Sequence, residues 1–294
     1  MTAAEEGVLL LCCQLGDPGC KPLTMARFRE LGLRVRASNM SESPFSELTE
    51  KFLCQLNHSS QDAAHIVSLL CREKQLHNYL SQAEKNDIHT ITRISAEYPR
   101  RISHHRKFSS PPVLFAKGDL SLLDQPSVAV IGSRQLMPEN QAFAEAIGTL
   151  AALEHMVLVS GGAVGADQTA QNACLLAGGR CIIFVPDRLI DHPVPPGCLY
   201  ISEGGYDLPF SPARALYRNQ LIHMQGDKTI AVQCTYGKGG TWEGCMENLR
   251  HSWSPLFVYD DGSKGCTALM ERGATGIQIP DSLHTLSANQ ISLF

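Results

Sequence analysis

The sequence lacks the features that mark several common classes of protein. Its 11 cysteines form no Cys-x-x-Cys pair and no Cys/His spacing suited to zinc, which excludes the usual zinc modules. No apolar run approaches the roughly 18 residues that span a bilayer, and acidic residues precede the apolar run 8–11, which argues against a signal peptide. We therefore expect a cytoplasmic protein with reduced thiols, no metal site and no membrane association.

An excess of positive charge is also missing. Lys and Arg number 25 against 29 Asp and Glu, so the net charge is -4. Any site for nucleic acid must therefore be a local patch, because the field of the whole molecule does not attract a polyanion. With 44% hydrophobic and 18% charged residues, the composition is that of a folded globular protein, and 294 residues allow one large domain and a small one.

The first part of the chain has the pattern of a small all-helical unit. Short apolar-periodic segments separated by polar or Gly/Pro breaks predict helices at 9–14, 23–31, 46–53, 62–70 and 73–85. We assign residues 1–86 to a helical N-terminal domain and 87–294 to a second domain. A basic stretch at 100–107 lies near the start of the second domain and is a candidate site of contact with nucleic acid.

The second domain alternates short apolar segments with helical ones. Strands are predicted at 113–115, 128–131, 156–159, 181–185, 199–201, 229–232 and 256–258, and helices at 139–153, 166–176, 213–223, 241–249 and 267–271. This alternation favours a doubly wound, mostly parallel, Rossmann-like α/β sheet. Ligands of such sheets bind beyond the carboxyl ends of the strands, where helix N-termini present free N–H groups.

Residues suited to binding phosphate follow several of the predicted strands. Glycine allows close backbone approach, a hydroxyl can donate a hydrogen bond, and a guanidinium can hold a phosphate bidentately. We interpret Asp167, in the glycine-rich turn 160–167 after the strand predicted at 156–159, as a helix-start residue instead of a catalytic acid. The candidate phosphate-binding residues are Gly132, Ser133, Arg134, Ser160, Gly161, Gly162, Arg218, Asn219, Lys238, Gly240 and Thr241.

Arg218 and Asn219 differ from the other candidates because they lie within a predicted helix. We expect Leu216, Leu221 and Ile222 to face the sheet, which would point Arg218 at the rim formed by the strand ends. Candidate rings for stacking on nucleic-acid bases near this rim are Tyr217, Tyr236 and Trp242.

These segments, in this order, resemble the DprA/Smf family of DNA-processing proteins. In that family a strand ends in Gly-Ser-Arg, as at 132–134, and the next ends in Ser-Gly followed by Gly-x-Asp, as at 160–161 and 165–167. A Ser-Glu pair and an Arg-Asn element come later, here at 202–203 and 218–219. With a similar lead-in at 98–119, the resemblance covers residues 88–275.

The resemblance implies a homodimer that binds single-stranded DNA in a basic pocket and helps to load a RecA-type recombinase during natural transformation and DNA recombination. It also implies that Arg134, the Ser160-Gly161 turn and Arg218-Asn219 are pocket residues. Two departures stand out: Val164 replaces an arginine of the family, and 238–243 differs from the family's Ser-Gly-x-x-x-Thr-Ala element, with Lys238 as a cation that could restore the charge. We expect no C-terminal winged-helix domain.

Enzymes that act on nucleotides are the alternative. The segment 239–243 is similar to the Gly-Gly-x-Gly-Thr-x-x-Glu signature of nucleoside-monophosphate phosphoribohydrolases, but Gly244 stands where the catalytic glutamate belongs, and Glu243 comes one position early, about 100° away on a helix. A nicotinamide-dependent dehydrogenase would need a Gly-x-Gly-x-x-Gly turn and an acidic residue in place of Ser160. We therefore expect a protein that is not an enzyme and needs no cofactor.

Overall fold

The computed structural model describes residues 1–38, 48–105 and 110–286. The start of the helix predicted at 46–53 and the basic residues Arg106 and Lys107 lie outside these ranges. The helices are α1 (Ala3–Cys12), α2 (Met25–Ala37), α3 (Glu50–Gln55), α4 (Ser60–Leu70), α5 (Glu73–Lys85), α6 (Arg100–His104), α7 (Pro138–Leu153), α8 (Ala166–Leu176), α9 (Pro212–Gln225), α10 (Gly239–His251) and α11 (Lys264–Met270). The strands are β1 (Ile88–Thr92), β2 (Val113–Gly118), β3 (Ser127–Ile131), β4 (Val157–Ser160), β5 (Arg180–Phe184), β6 (Cys198–Glu203), β7 (Lys228–Ala231), β8 (Leu256–Tyr259) and β9 (Thr275–Ile277).

Hydroxyl residues set the starts of the first four helices. Thr2, Thr24, Thr49 and Ser59 each accept a hydrogen bond from a backbone N–H in the first turn, which satisfies a donor that has no partner inside the helix. Thr2 and Glu5 form a complete capping box. Because of this cap, α1 begins six residues before the helix predicted at 9–14.

The nine strands form one sheet in the order β1-β2-β6-β5-β4-β3-β7-β8-β9. From β6 to β9 every neighbouring pair is parallel, whereas β2 pairs antiparallel with both β1 and β6. The central strand β3 is buried along its whole length, as expected for a strand covered by helices on both faces. The predicted fold class, a doubly wound and mostly parallel α/β sheet, is confirmed.

Two core clusters fill the two faces of the sheet. One joins α1–α5 with α7 and α8, and the other joins α6, α9, α10 and α11. The chain runs from β3 outward through β4, β5 and β6, then returns to the centre and continues from β7 to β9 on the other side. The direction of winding therefore reverses between β3 and β7, where sheets of this kind have their ligand crevice.

Tyrosine side chains join the helical segment to the sheet. The ring centres of Tyr79 in α5 and Tyr206 lie 4.3 Å apart in a stacked pair, and the Tyr79 and Phe115 rings meet edge to face at 5.8 Å. The Tyr79 hydroxyl donates to Asp207 Oδ1 at 2.6 Å, and the Tyr206 hydroxyl donates to the Tyr79 carbonyl at 3.0 Å. None of the described helices has both the length and the apolar character needed to cross a bilayer.

Candidate functional site

A cavity of about 500 Å³ opens where the winding of the sheet reverses. Its floor begins at Ile131, the last residue of β3, and its walls come from the segments that follow β3 and β7, from the start of α8 and from one face of α9. The polar residues that line it are Ser133, Arg134, Asp167, Arg218, Asn219, His223, Thr235, Lys238 and Thr241.

Two hydrogen bonds to backbone carbonyls hold these segments together. The Thr241 hydroxyl donates to the Gly132 carbonyl at 2.9 Å, which ties the start of α10 to the end of β3. The Ala166 N–H donates to the Ser133 carbonyl at 3.1 Å, which ties the start of α8 to the same segment. Gly165 has φ +96°, and a Cβ there would lie 2.3 Å from the Ser133 carbonyl oxygen, so only glycine permits this approach.

Arg218 and Asp167 form the charged centre of the site. The Arg218 guanidinium lies directly against Gly161, where an added Cβ would be 1.2 Å from Nη1. Asp167 accepts hydrogen bonds from the N–H groups of Gly161 at 3.0 Å and Ala163 at 3.4 Å. The Asp167 carboxylate therefore fixes the turn before α8. Because Gly161 in this turn has no side chain, the Arg218 guanidinium can pack against its backbone.

Burial shapes the protonation of the groups around this centre. It raises the pKa of Asp167 to about 6, although the nearby Arg218 and the two N–H donors oppose the shift. Burial likewise lowers the pKa of Arg218, against the pull of Asp167, and lowers the pKa of His223 to about 3. In the described structure Arg218 Nε, Arg218 Nη1 and His223 Nε2 are buried without a hydrogen-bond partner, so the protein itself does not satisfy all the polar groups beside the cavity.

Most of the candidate phosphate-binding residues line the cavity. These are Gly132, Ser133, Arg134, Arg218, Asn219, Lys238, Gly240 and Thr241. Ser160, Gly161 and Gly162 lie behind it: the Ser160 hydroxyl is fully buried and accepts a hydrogen bond from Gln171, and Gly161 is covered by Arg218. Within the described residues these three positions therefore support the residues that line the cavity and do not line it themselves.

The predicted orientation of α9 is wrong for Leu216. This side chain is 45% exposed and lines the cavity, whereas Leu221 is buried. At about 100° per residue the two side chains are roughly 140° apart around the helix, so they cannot both face the sheet. Among the candidate rings, Tyr217 packs against the second core cluster, and burial raises its pKa.

Sequence reasoning also missed several cavity residues on α9. Ala215, Ile222 and His223 line the cavity together with Arg218 and Asn219. Their spacing, at intervals of three, four, seven and eight residues, puts them on one helical face. This periodicity was the signal that could have extended the site from Arg218 to the rest of the face.

The profile of the family described as DNA recombination-mediator protein A matches residues 89–287, more than half of the chain. The chain belongs to this family. It is similar to the curated DNA processing protein DprA of Streptococcus pneumoniae (strain ATCC BAA-255 / R6), with 33% identity over 186 residues. That alignment spans 57% of this chain and 64% of the relative, which is less than two thirds of the relative's length.

Solved structures of DNA processing protein A are also similar. The one from Streptococcus pneumoniae has a TM-score of 0.68 at 23% identity and covers 94% of this chain and 95% of its own, which shows the shared fold. The one from Helicobacter pylori, described for its single-stranded DNA binding mode, has a TM-score of 0.55 at 28% identity, over 65% of this chain and 92% of its own.

The Ser-Glu pair of this DprA-family chain holds α9 in place. Arg214, in the first turn of α9, donates from Nη2 to the Ser202 hydroxyl at 2.7 Å and from Nε to Glu203 Oε1 at 3.0 Å. It also donates to the carbonyls of Pro186 and Leu208. These bonds fix the position of α9, which carries Arg218. Ser202 and Glu203 are not among the described residues that line the cavity, so they support the site through Arg214.

Proposed function

We propose that this chain binds single-stranded DNA in the cavity as a DNA-processing protein that is not an enzyme. The observation that carries the proposal is the convergence of Arg134, Arg218 and Lys238 with the starts of α8 and α10. Among the described residues that line the cavity, only Asp167 has a carboxylate, and burial raises its pKa. The site therefore has the positive potential that a phosphate backbone requires.

The form of the cavity favours a single strand. Phe210 and Leu216 are exposed apolar side chains on its wall, and they can contact unpaired bases while the cations hold the phosphates. A duplex keeps its bases stacked inside and presents mainly backbone to such a cleft. The single-stranded DNA binding described for the Helicobacter pylori relative supports the same assignment.

The environment of Gly244 argues against the alternative function, a nucleotide hydrolase. Gly244 is buried against His223, and a Cβ there would lie 3.1 Å from His223 Nε2, which leaves little room for a glutamate. Glu243 is exposed and is not among the described residues that line the cavity. A hydrolase of that type would need a carboxylate aimed at the bound nucleotide.

Membership of the family supports the wider role. We infer that the chain acts in the cytoplasm, forms a homodimer and helps to load a RecA-type recombinase on single-stranded DNA, in natural transformation or recombination. The division into a helical domain 1–86 and a sheet domain 87–294 stays a prediction, as does the role of each cavity residue in DNA binding.

The deciding experiment measures the affinity for an oligothymidylate at two salt concentrations. Arg134 is exposed at the cavity, so Arg134→Ala should weaken binding by roughly 1 kcal/mol or more and lower the slope of log K against log salt by about one unit. Arg29→Ala, which removes an exposed arginine of α2, is the matched control.

An unchanged affinity and salt slope in Arg134→Ala would rule out the cavity as the DNA site. Release of free base from a nucleoside monophosphate, lost in Glu243→Gln, would instead support the hydrolase.

A further inference from the structure

Two adjoining aromatic rings lie between two cations on the surface next to the cavity. The Lys264 ammonium lies 4.5 Å from the centre of the Tyr236 ring, and the Tyr236 and Trp242 rings meet edge to face at 5.0 Å. The Arg272 guanidinium lies 5.6 Å from the centre of the Trp242 ring. We call these four residues the ring–cation patch.

A tight turn joins the patch to the cavity. Thr235 and Lys238 both line the cavity, and the Lys238 N–H donates to the Thr235 carbonyl at 3.2 Å. Tyr236 is the second residue of this turn, and Gly237, with φ +68°, is the third. A chain that leaves the cavity over the turn therefore meets Tyr236 next.

Tyr236 is an exposed aromatic residue that does not contribute to either core cluster. Tyr236 is 40% exposed, whereas Trp242 packs partly against the second cluster. Lys264 is exposed and makes no ion pair within the described part of the chain. Arg272 has a carboxylate neighbour, Glu271, only at 3.9 Å.

We propose that the ring–cation patch is a second contact for the strand held in the cavity, with a base against Tyr236 and phosphates on Lys264 and Arg272. This inference rests on the proposed function. Base–aromatic contacts tolerate any sequence, and cations beside the rings supply the backbone contact. The cation–π contacts hold the rings and cations in place before DNA arrives, which lowers the entropy lost on binding.

Oligonucleotide length separates the patch from the cavity. We compare an oligothymidylate of about 4 nucleotides, short enough for the cavity alone, with one of about 16 nucleotides. Tyr236→Ala should weaken binding of the long oligonucleotide about tenfold and leave the short one unchanged. Tyr236→Phe, which keeps the ring, should bind both like the wild type.

Two further measurements test the chemistry of the contact. Lys264→Ala should lower the salt slope by about one unit for the long oligonucleotide only, because its cation contacts phosphates beyond the cavity. An oligonucleotide that carries abasic positions outside its first four nucleotides should bind the wild type and Tyr236→Ala equally.

Each other outcome overturns the inference. If Tyr236→Ala binds the long oligonucleotide like the wild type, the patch is not a DNA contact, while the cavity remains the proposed site. If Tyr236→Ala weakens both lengths equally, the ring belongs to the cavity and not to a second contact. If the wild type binds neither length, the proposed function fails together with the patch.

Discussion

Asp167 sets how much positive charge the cavity carries. Burial raises its pKa to about 6, so a fall in pH from about 7.5 to about 5 neutralises the carboxylate beside Arg218. His223 stays neutral over this range because burial lowers its pKa to about 3. Affinity for oligothymidylate should therefore rise about fivefold on acidification, the effect of a charge interaction of roughly 1 kcal/mol.

Asp167→Asn is the matched variant for this test, because it keeps the acceptor for Gly161 and Ala163 but never carries the charge. It should bind at pH 7.5 as tightly as the wild type binds at pH 5, with a flat pH profile. A wild-type affinity that does not change with pH would contradict the assignment of Asp167 to the binding surface.

At the scale of one element, the turn between β4 and α8 determines the position of the Arg218 guanidinium, which packs against Gly161. Gly161→Ala would place a Cβ 1.2 Å from Arg218 Nη1, so the guanidinium must move, and its flexible side chain can do so without unfolding the protein. We expect oligonucleotide affinity to fall about tenfold, as in Arg218→Ala, with a smaller change in stability.

Gly32→Ala is the control for this substitution, because its Cβ would meet nothing within 4 Å in α2 and should leave binding unchanged. If Gly161→Ala is strongly destabilised but its folded fraction binds the oligonucleotide normally, the turn does not act by positioning Arg218.

The turn between β4 and α8 also shows which features of the site could be predicted from the sequence and which could not. The ends of β3, β4 and β7 were predicted to share one edge because carboxyl ends of parallel strands do so, and α8 was predicted with its observed bounds. The contact between Gly161 and Arg218 could not be predicted, because it depends on how α9 packs. The edge strands β1 and β9 were also missed, because the segments 88–92 and 275–277 contain no continuous apolar run.

At the scale of the whole molecule, the packing of Tyr79 makes the helical segment and the sheet one core. Its ring contacts Phe115 and Tyr206, and its hydroxyl donates to Asp207. Tyr79→Ala should lower the free energy of unfolding by about 3–5 kcal/mol, as for other large buried aromatic residues. We expect a single urea transition at lower denaturant, because the helices α1–α5 bury apolar side chains in the cluster that covers the sheet. Coincident curves from far-ultraviolet circular dichroism and tryptophan fluorescence would establish this, since Trp242 and Trp253 lie in the sheet-bearing part and report its unfolding. Two separate transitions, with only the far-ultraviolet signal lost early, would mean that the helical segment unfolds by itself and that the tyrosine contacts do not couple it to the sheet.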